Sequence, residues 1–351
     1  MIIWIIFLTV VFILLALDLG VFHKDPHAIS TKEAAGWTAL WVTLALSFSI
    51  VVYFAYERGW VANPEMLNGR EAVLEYITGY LIEQSLSMDN IFVIAVIFAY
   101  FQIPKMYQHR VLFWGILGAL VFRGIMIGVG VVLIQRFEWI IYFFGALLLY
   151  SSYKMLTQSE EHIEPNKNPV IKIVRRFFPV TSHFEGDRFF VQKGKVRAAT
   201  PLFIALIVVE TTDIMFAVDS IPAIFAVTRD PFLVFTSNIF AIMGLRSLYF
   251  VLAAVLDKFK YLKYSLVFIL AFVGVKMLIS HYVHIPSWVS LAVIVVSMLV
   301  GVAFSWSSFK EIRAVEKAEK TRRDTNGNKD KQNEATNQKK VPDIQRNTNP
   351  N

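Results

Sequence analysis

The sequence predicts an all-α polytopic membrane protein of about nine transmembrane helices, each needing about 20 mostly apolar residues. Three observations carry that prediction: an apolar excess, its arrangement in long blocks, and a three-helix unit that occurs twice. Of 351 residues, 56% are hydrophobic and 15% aromatic, while Asp, Glu, Lys and Arg together make 17%. A soluble domain is roughly 45–50% apolar and about 25% charged. Mean hydropathy is +0.53. The apolar residues come in blocks without polar faces, so lipid is their solvent.

The expected spans are 2–19, 37–56, 73–101, 111–133, 139–155, 201–225, 232–254, 264–281 and 289–304. Every backbone polar group inside the hydrocarbon must be bonded internally, which makes each of them a helix. The opening run 2–17 resembles the apolar core of a signal peptide. It lacks a basic flank before it and an Ala-x-Ala-like site after it, and is read as a retained first helix. Residues 1–308 form the expected transmembrane domain, with a basic cytoplasmic loop at 156–199. Short apolar runs in that loop, with Arg175, Arg176, Phe177 and Phe178, fit a small subdomain or a segment resting at the membrane surface. The tail 309–351 has almost nothing apolar to bury and reads as disordered.

Net charge is +7, gathered in the long loop and the tail. That pattern points to cytoplasmic segments attracted by anionic lipid, and it does not form a nucleic-acid footprint. Lys24, Lys32, Lys105, Arg110 and Lys258 fall on one side of the expected spans. The N-terminus is therefore placed in the periplasm and the C-terminus in the cytoplasm. Cysteine is absent, which excludes disulfides, thiolate metal sites and cysteine-ligated clusters. No HExxH, Walker A loop, GxGxxG turn or GxSxG elbow is present, so neither an enzyme nor a prosthetic cofactor is expected.

The repeat units are 73–156 and 199–278. Glu83, five residues, Asp89, Asn90, Ile91 in the first matches Asp213, five residues, Asp219, Ser220, Ile221 in the second. The next helix of each unit carries Arg123 or Arg246, and the third ends in Lys-Met-Leu from Lys154 or Lys276. Three helices per unit turn the second copy upside down relative to the first. Inverted repeats of this kind place transport sites near the midplane, at the interface of the two units.

Glu83, Asp89, Glu210, Asp213 and Asp219 all lie within expected spans. A carboxylate at the bilayer centre costs about 2.5–3.5 kcal/mol on insertion scales unless it faces protein, ion or water. Carboxylates suit a hard cation such as Mg²⁺, Mn²⁺ or Ca²⁺, and mutual repulsion lets protons compete for the same oxygens. Glu83 and Asp89 lie about 120° apart on a regular helix, as do Asp213 and Asp219. One cluster therefore needs an opposing helix or a local break, and Pro222 offers a break beside Asp219 by freeing the Val218 carbonyl. Asn90, Ser220, Ser237 and Asn238 are metal-ligand candidates or interhelical hydrogen-bonding groups. Asp18, near the end of the first span, is a weaker ligand candidate.

Arg123 and Arg246 are the natural charge partners or gate ties, since arginine keeps its proton and spans two carboxylates. Lys154 and Lys276 act likewise or snorkel. A purely structural network of neutralised acids is the competing reading. Gly118, Gly124, Gly128 and Gly130 read as helix-packing positions. His281 and His284 read as a wet outer loop or a metal contact.

GYLIEQSLSMDNIFV, FGALLLYSSYKML, VVETTDIMFAVDSIPAIFAVTRDPF and SNIFAIMGLRSLYF resemble the TerC family of membrane proteins, in its Alx-type branch. The resemblance implies a bacterial inner-membrane protein in metal homeostasis, with manganese export attributed to several members. It maps the family's acidic positions onto Asp18, Glu83, Asp89, Glu210, Asp213 and Asp219, with Asn90 and the arginines beside them. It equally admits roles in tellurium resistance, redox modulation or membrane-protein assembly. The expected partners are membrane lipid, a divalent ion and protons, with no nucleic acid. A non-transporting regulator or assembly factor is the alternative to an Mn²⁺ exporter.

Overall fold

The computed structural model describes residues 2–20, 30–137, 139–157, 176, 179–181, 183–193, 196–253, 262–283 and 285–305. The expected tail 309–351, most of the loop 156–178 and His284 lie outside the described residues. Nine helices stand among the described residues, and seven are long and apolar enough to cross a membrane. They are α1 (Ile2–Gly20), α2 (Thr31–Glu57), α3 (Gly69–Tyr100), α4 (Lys105–Arg136), α5 (Ile140–Thr157), α6 (Pro201–Phe225), α7 (Pro231–Ala253), α8 (Leu262–Ile279) and α9 (Ser287–Ser305). The compact unit Met1–Val302 holds this bundle; of Ala303–Asn351 only residues 303–305 are described, and they are helical.

Several helices start earlier than their apolar stretch because polar caps extend them. Ser30 accepts from the Glu33 amide at the start of α2. Asn68 and Glu71 form a reciprocal capping box on α3, satisfying amide donors that the first turn leaves open. α6 continues through Pro222 to Phe225, so the proline loosens the last turn without interrupting the helix. A short antiparallel hairpin, β1 (Phe190–Lys193) with β2 (Val196–Ala199), precedes α6, an addition that the all-α expectation omits. Arg110 near the start of α4 pairs with Asp187, just before β1, and lies over the Phe189 ring at 5.3 Å.

Packing follows the repeat. α5 packs chiefly on α8, α3 on α7 and α4 on α6, with α3 also against α6 and α4 against α7. Exchanging α3, α4 and α5 for α6, α7 and α8 leaves this pattern unchanged, as a pseudo-two-fold relation requires. Aligning Lys154 with Lys276 makes Gly145 correspond to Val267 and Ser152 to Gly274. The α5–α8 seam contains both cross-contacts: Gly145 meets Gly274, and Ser152 Oγ donates to the Val267 carbonyl at 2.9 Å.

Two of the three helices outside the repeat break the symmetry. α1 and α2 cover α7 through a ring cluster of Trp4, Phe7, Phe48, Phe232, Phe235 and Phe240. Tyr76 donates to the Ala45 carbonyl at 2.9 Å, tying α3 to α2. α7 is consequently buried over most of its length, whereas α4, its counterpart, leaves Val121, Ile125, Val129 and Val132 exposed to lipid.

A Cβ on Gly274 would stand 3.0 Å from the Gly145 carbonyl oxygen, which is tighter than ordinary contact. Gly274→Val is expected to cost about 1–3 kcal/mol by overpacking. Gly36→Ala, inside α2 where a Cβ meets nothing within 4 Å, is expected to stabilise by about 0.5–1 kcal/mol. Thermal unfolding of the two purified variants checks the contrast.

Candidate functional site

Glu83 on α3 and Asp213 on α6 occupy equivalent places in the two repeat units, and the α3–α6 contact brings them to either side of one guanidinium. Arg123, from α4, places Nη2 2.8 Å from Asp213 Oδ1 and Nε 3.2 Å from Oδ2. Its Nη1 donates to Glu83 Oε1. The planar fork thus holds one carboxylate with two bonds and reaches the other with its remaining arm. Glu83 Oε2 accepts from Asn238 Nδ2 at 3.0 Å, and Asn90 Nδ2 stands 3.5 Å from Asp213 Oδ1. Ser220 Oγ and Asn238 Oδ1 each lie 3.5 Å from Arg123 Nη1. Arg123 is 1% exposed, Glu83 0% and Asp213 9%. Two carboxylates against one cation leave this dry cluster one negative charge in excess when both are ionised.

The opposing helices, with no break at Pro222, assemble this cluster. It unites Glu83, Asn90, Asp213 and Asn238 from the expected ligands with Arg123 from the expected charge partners. The other acids stand apart, as the 120° spacing on each helix requires. Asp89 lines a small crevice with Ser85, Met88, Ser265 and Met298, and feels the charge of Lys263. Asp219 accepts from Ser151 Oγ at 2.6 Å and feels the charge of Lys154. Each therefore faces the third helix of the other unit. The Asp18 side chain lies outside what is described. Among the described residues, no three carboxylates or histidines close around a point to form a metal cage.

Glu210 occupies a notch in α4 where Gly118 has no side chain, and Glu210 Oε2 is buried without a hydrogen-bond partner. The neighbour that Gly118 admits is thus a carboxylate, whereas the sequence reading foresaw only helix packing. Arg246 does not mirror Arg123. Its Nη1 lies 3.2 Å from His109 Nε2, and since arginine offers no acceptor, that ring nitrogen accepts. Arg246 also lines a small crevice with Asn90, Thr212 and Asp213. Lys276 donates to Ser290 Oγ at 2.9 Å, away from this cluster.

Sequence reasoning missed Ser151 and His109. Ser151 was accessible, lying one turn before Lys154 in the repeated third helix; nothing in the local sequence of His109 marks it.

Removing Arg123 strands two buried carboxylates, and Arg123→Ala is expected to cost about 3–5 kcal/mol. The triple variant Arg123→Met, Glu83→Gln, Asp213→Asn removes all three charges and recovers most of that loss. Thermal midpoints in detergent distinguish the two.

Residues 68–313 match the integral membrane protein TerC family. The membrane protein STKORF319 of Myxococcus xanthus is 51% identical over 291 residues, 83% of this chain and 88% of the relative. A membrane protein of Rickettsia bellii is 44% identical over 299 residues, covering 85% and 95%. Alx of Escherichia coli K12, named as a candidate membrane-bound redox modulator, is 47% identical over 292 residues, covering 82% and 89%. No solved structure matches the chain. With the family match spanning most of the chain and these relatives aligned nearly end to end, the protein is a multi-pass member of the TerC family of integral membrane proteins.

Proposed function

We propose that the chain exports divalent metal ions, with Mn²⁺ as the favoured cargo, across the bacterial inner membrane in exchange for protons. The observation that carries this reading is Arg123, a buried cation held between one carboxylate from each repeat unit. The oxygens of Glu83 and Asp213, with those of Asn90, Asn238 and Ser220, are hard ligands of the kind that Mn²⁺ and Mg²⁺ accept. In the geometry observed, arginine occupies that place. An arriving metal ion displaces it, and its departure lets the guanidinium return. Arginine keeps its proton throughout, so the exchanged protons ride on carboxylates.

The repeat supplies a second position for the gate. Arg246 corresponds to Arg123 and lines the crevice that reaches Asp213. This crevice lies toward the end bearing the α3–α4 turn, with Ile94 and Leu112 among its walls. Toward the other end the path is packed: a Cβ on Gly79 would meet Ile224 at 3.0 Å and Ser237 at 3.1 Å. Under the inverted symmetry, the alternate state has Arg246 holding the two acids and Arg123 withdrawn, with the opposite end open.

A second reading also has an observation behind it. A guanidinium bridging both acids is equally what a static, non-transporting regulator or assembly factor needs, and the redox-modulator name belongs to the Escherichia coli relative. Cysteine is absent from this chain, so a redox role would not use thiols. The transport reading expects no chemical conversion of a substrate.

Mn²⁺ flux into proteoliposomes under imposed pH gradients separates the readings. Wild type is expected to show gradient-sensitive flux. Asp213→Asn and Asp219→Asn, folded by thermal unfolding, lose it at least roughly tenfold. Arg246→Gln slows flux while retaining Mn²⁺ binding. Absence of flux from folded wild type at every gradient turns the reading to the regulator.

A further inference from the structure

The end of the bundle opposite the basic loop carries a second set of buried acids, separate from the Arg123 cluster. Glu75 lies two turns before Glu83 on α3, Asp230 caps α7, and Glu65 comes from the α2–α3 connection. Thr228 sits at their centre. Its Oγ1 accepts from the Asp230 amide at 3.1 Å, and its hydroxyl faces the carboxylates of both Glu65 and Glu75. One hydroxyl proton serves only one of those two acids. Ser287 Oγ donates to Glu75 Oε1 at 3.1 Å, and the Arg229 amide to Glu65 Oε1 at 2.9 Å.

Capping explains half of Asp230. Its Oδ1 accepts from the amides of Phe232 at 2.9 Å and Leu233 at 3.3 Å, as an N-cap before Pro231 does. Its Oδ2 has no partner, nor does Glu75 Oε2, nor the Tyr56 hydroxyl that faces Asp230 without closing a hydrogen bond. These residues are 0%, 7% and 5% exposed. Buried polar atoms in native proteins are almost always satisfied, so three unmet oxygen atoms on adjoining side chains mark a place made for something else. Nearby positive charge is sparse. The Lys276 ammonium acts on Glu75 while bonded to Ser290, and the exposed Arg229 acts on Glu65.

We propose that Glu75 and Asp230, with the hydroxyls of Tyr56 and Thr228, form a second cation site at this end of the bundle, for a partly hydrated divalent ion. All the ligands are oxygen, which selects hard cations. Among the described residues no three carboxylates close on one point, so the ion keeps several of its waters, as Mg²⁺-sized ions habitually do. Glu65 stands at the rim and contributes charge. The site stands on its own geometry whether or not the Arg123 cluster carries ions.

Mn²⁺ binding to the purified full chain in detergent, followed by electron paramagnetic resonance, tests it without any flux measurement. Asp230→Asn, which preserves the cap, and Glu75→Gln are expected to weaken a class of bound Mn²⁺ roughly tenfold or more. Tyr56→Phe, which keeps the ring packed, weakens it a few-fold. Glu83→Gln, in the other cluster, leaves that class in place. Thermal unfolding reports whether each variant is folded. Binding by Glu75→Gln and Tyr56→Phe that superimposes on wild type overturns the proposal, and so does loss of all bound Mn²⁺ in Glu83→Gln alone.

Discussion

The rest of the bundle is arranged around one buried charge. Arg123 is almost wholly removed from solvent, yet it cannot shed its proton. Such a cation is stable inside a membrane protein only if anions meet it there. Glu83 from the first repeat and Asp213 from the second meet that need together, so three helices are fixed in mutual register by a single guanidinium. The reverse also holds: each acid depends on Arg123, and Asn238 supplies the additional donor that Glu83 needs. Apolar packing in lipid has little directional preference, and this network provides it.

The repeat explains why the cluster lies where it does, and the flanking helices explain its lopsidedness. Equivalent acids meet across a pseudo-two-fold because α3 and α6 cross there. Equivalent arginines do not behave alike: one fills the space between the acids while the other bonds His109 at the wall of a crevice. Equivalent helices also differ in burial, since α1 and α2 cover α7 while α4 keeps an exposed face among the described residues. Two copies of one design, held in two different local states, are what an alternating mechanism requires of an inverted repeat.

Acids outside the central network are handled in three separate ways. Asp219 has a serine and a nearby lysine, Asp89 a polar crevice under the influence of Lys263, and Glu210 a glycine notch with one oxygen unmet. At the far end, Thr228 faces the carboxylates of Glu65 and Glu75 and accepts from the Asp230 amide. Acidic side chains therefore run along the bundle as a series of separate stations, of which the Arg123 network alone pairs its acids with a bonded guanidinium among the described residues.

Helical spans, the duplicated unit and the identity of the intramembrane acids were all legible in the sequence, because apolar block length and repeated spacing are local properties of a chain. The 120° separation of Glu83 from Asp89 was equally local, and it left either an opposing helix or a local break to complete a cluster; the opposing helix does so. The capped helix starts lay partly beyond that signal, since Ser30 and Asn68 extend helices through polar residues that hydropathy discounts. Which arginine takes the acids was not legible: Arg123 and Arg246 sit in matching motifs, yet Arg123 meets Glu83 and Asp213 while Arg246 meets His109. The partnerships of Gly118 with Glu210 and of Tyr56 with Asp230 join residues far apart in the chain. The sequence by itself determined a duplicated membrane bundle with acids inside it, and tertiary structure decided which charges meet, because pairing depends on helix rotation and approach that no local pattern encodes.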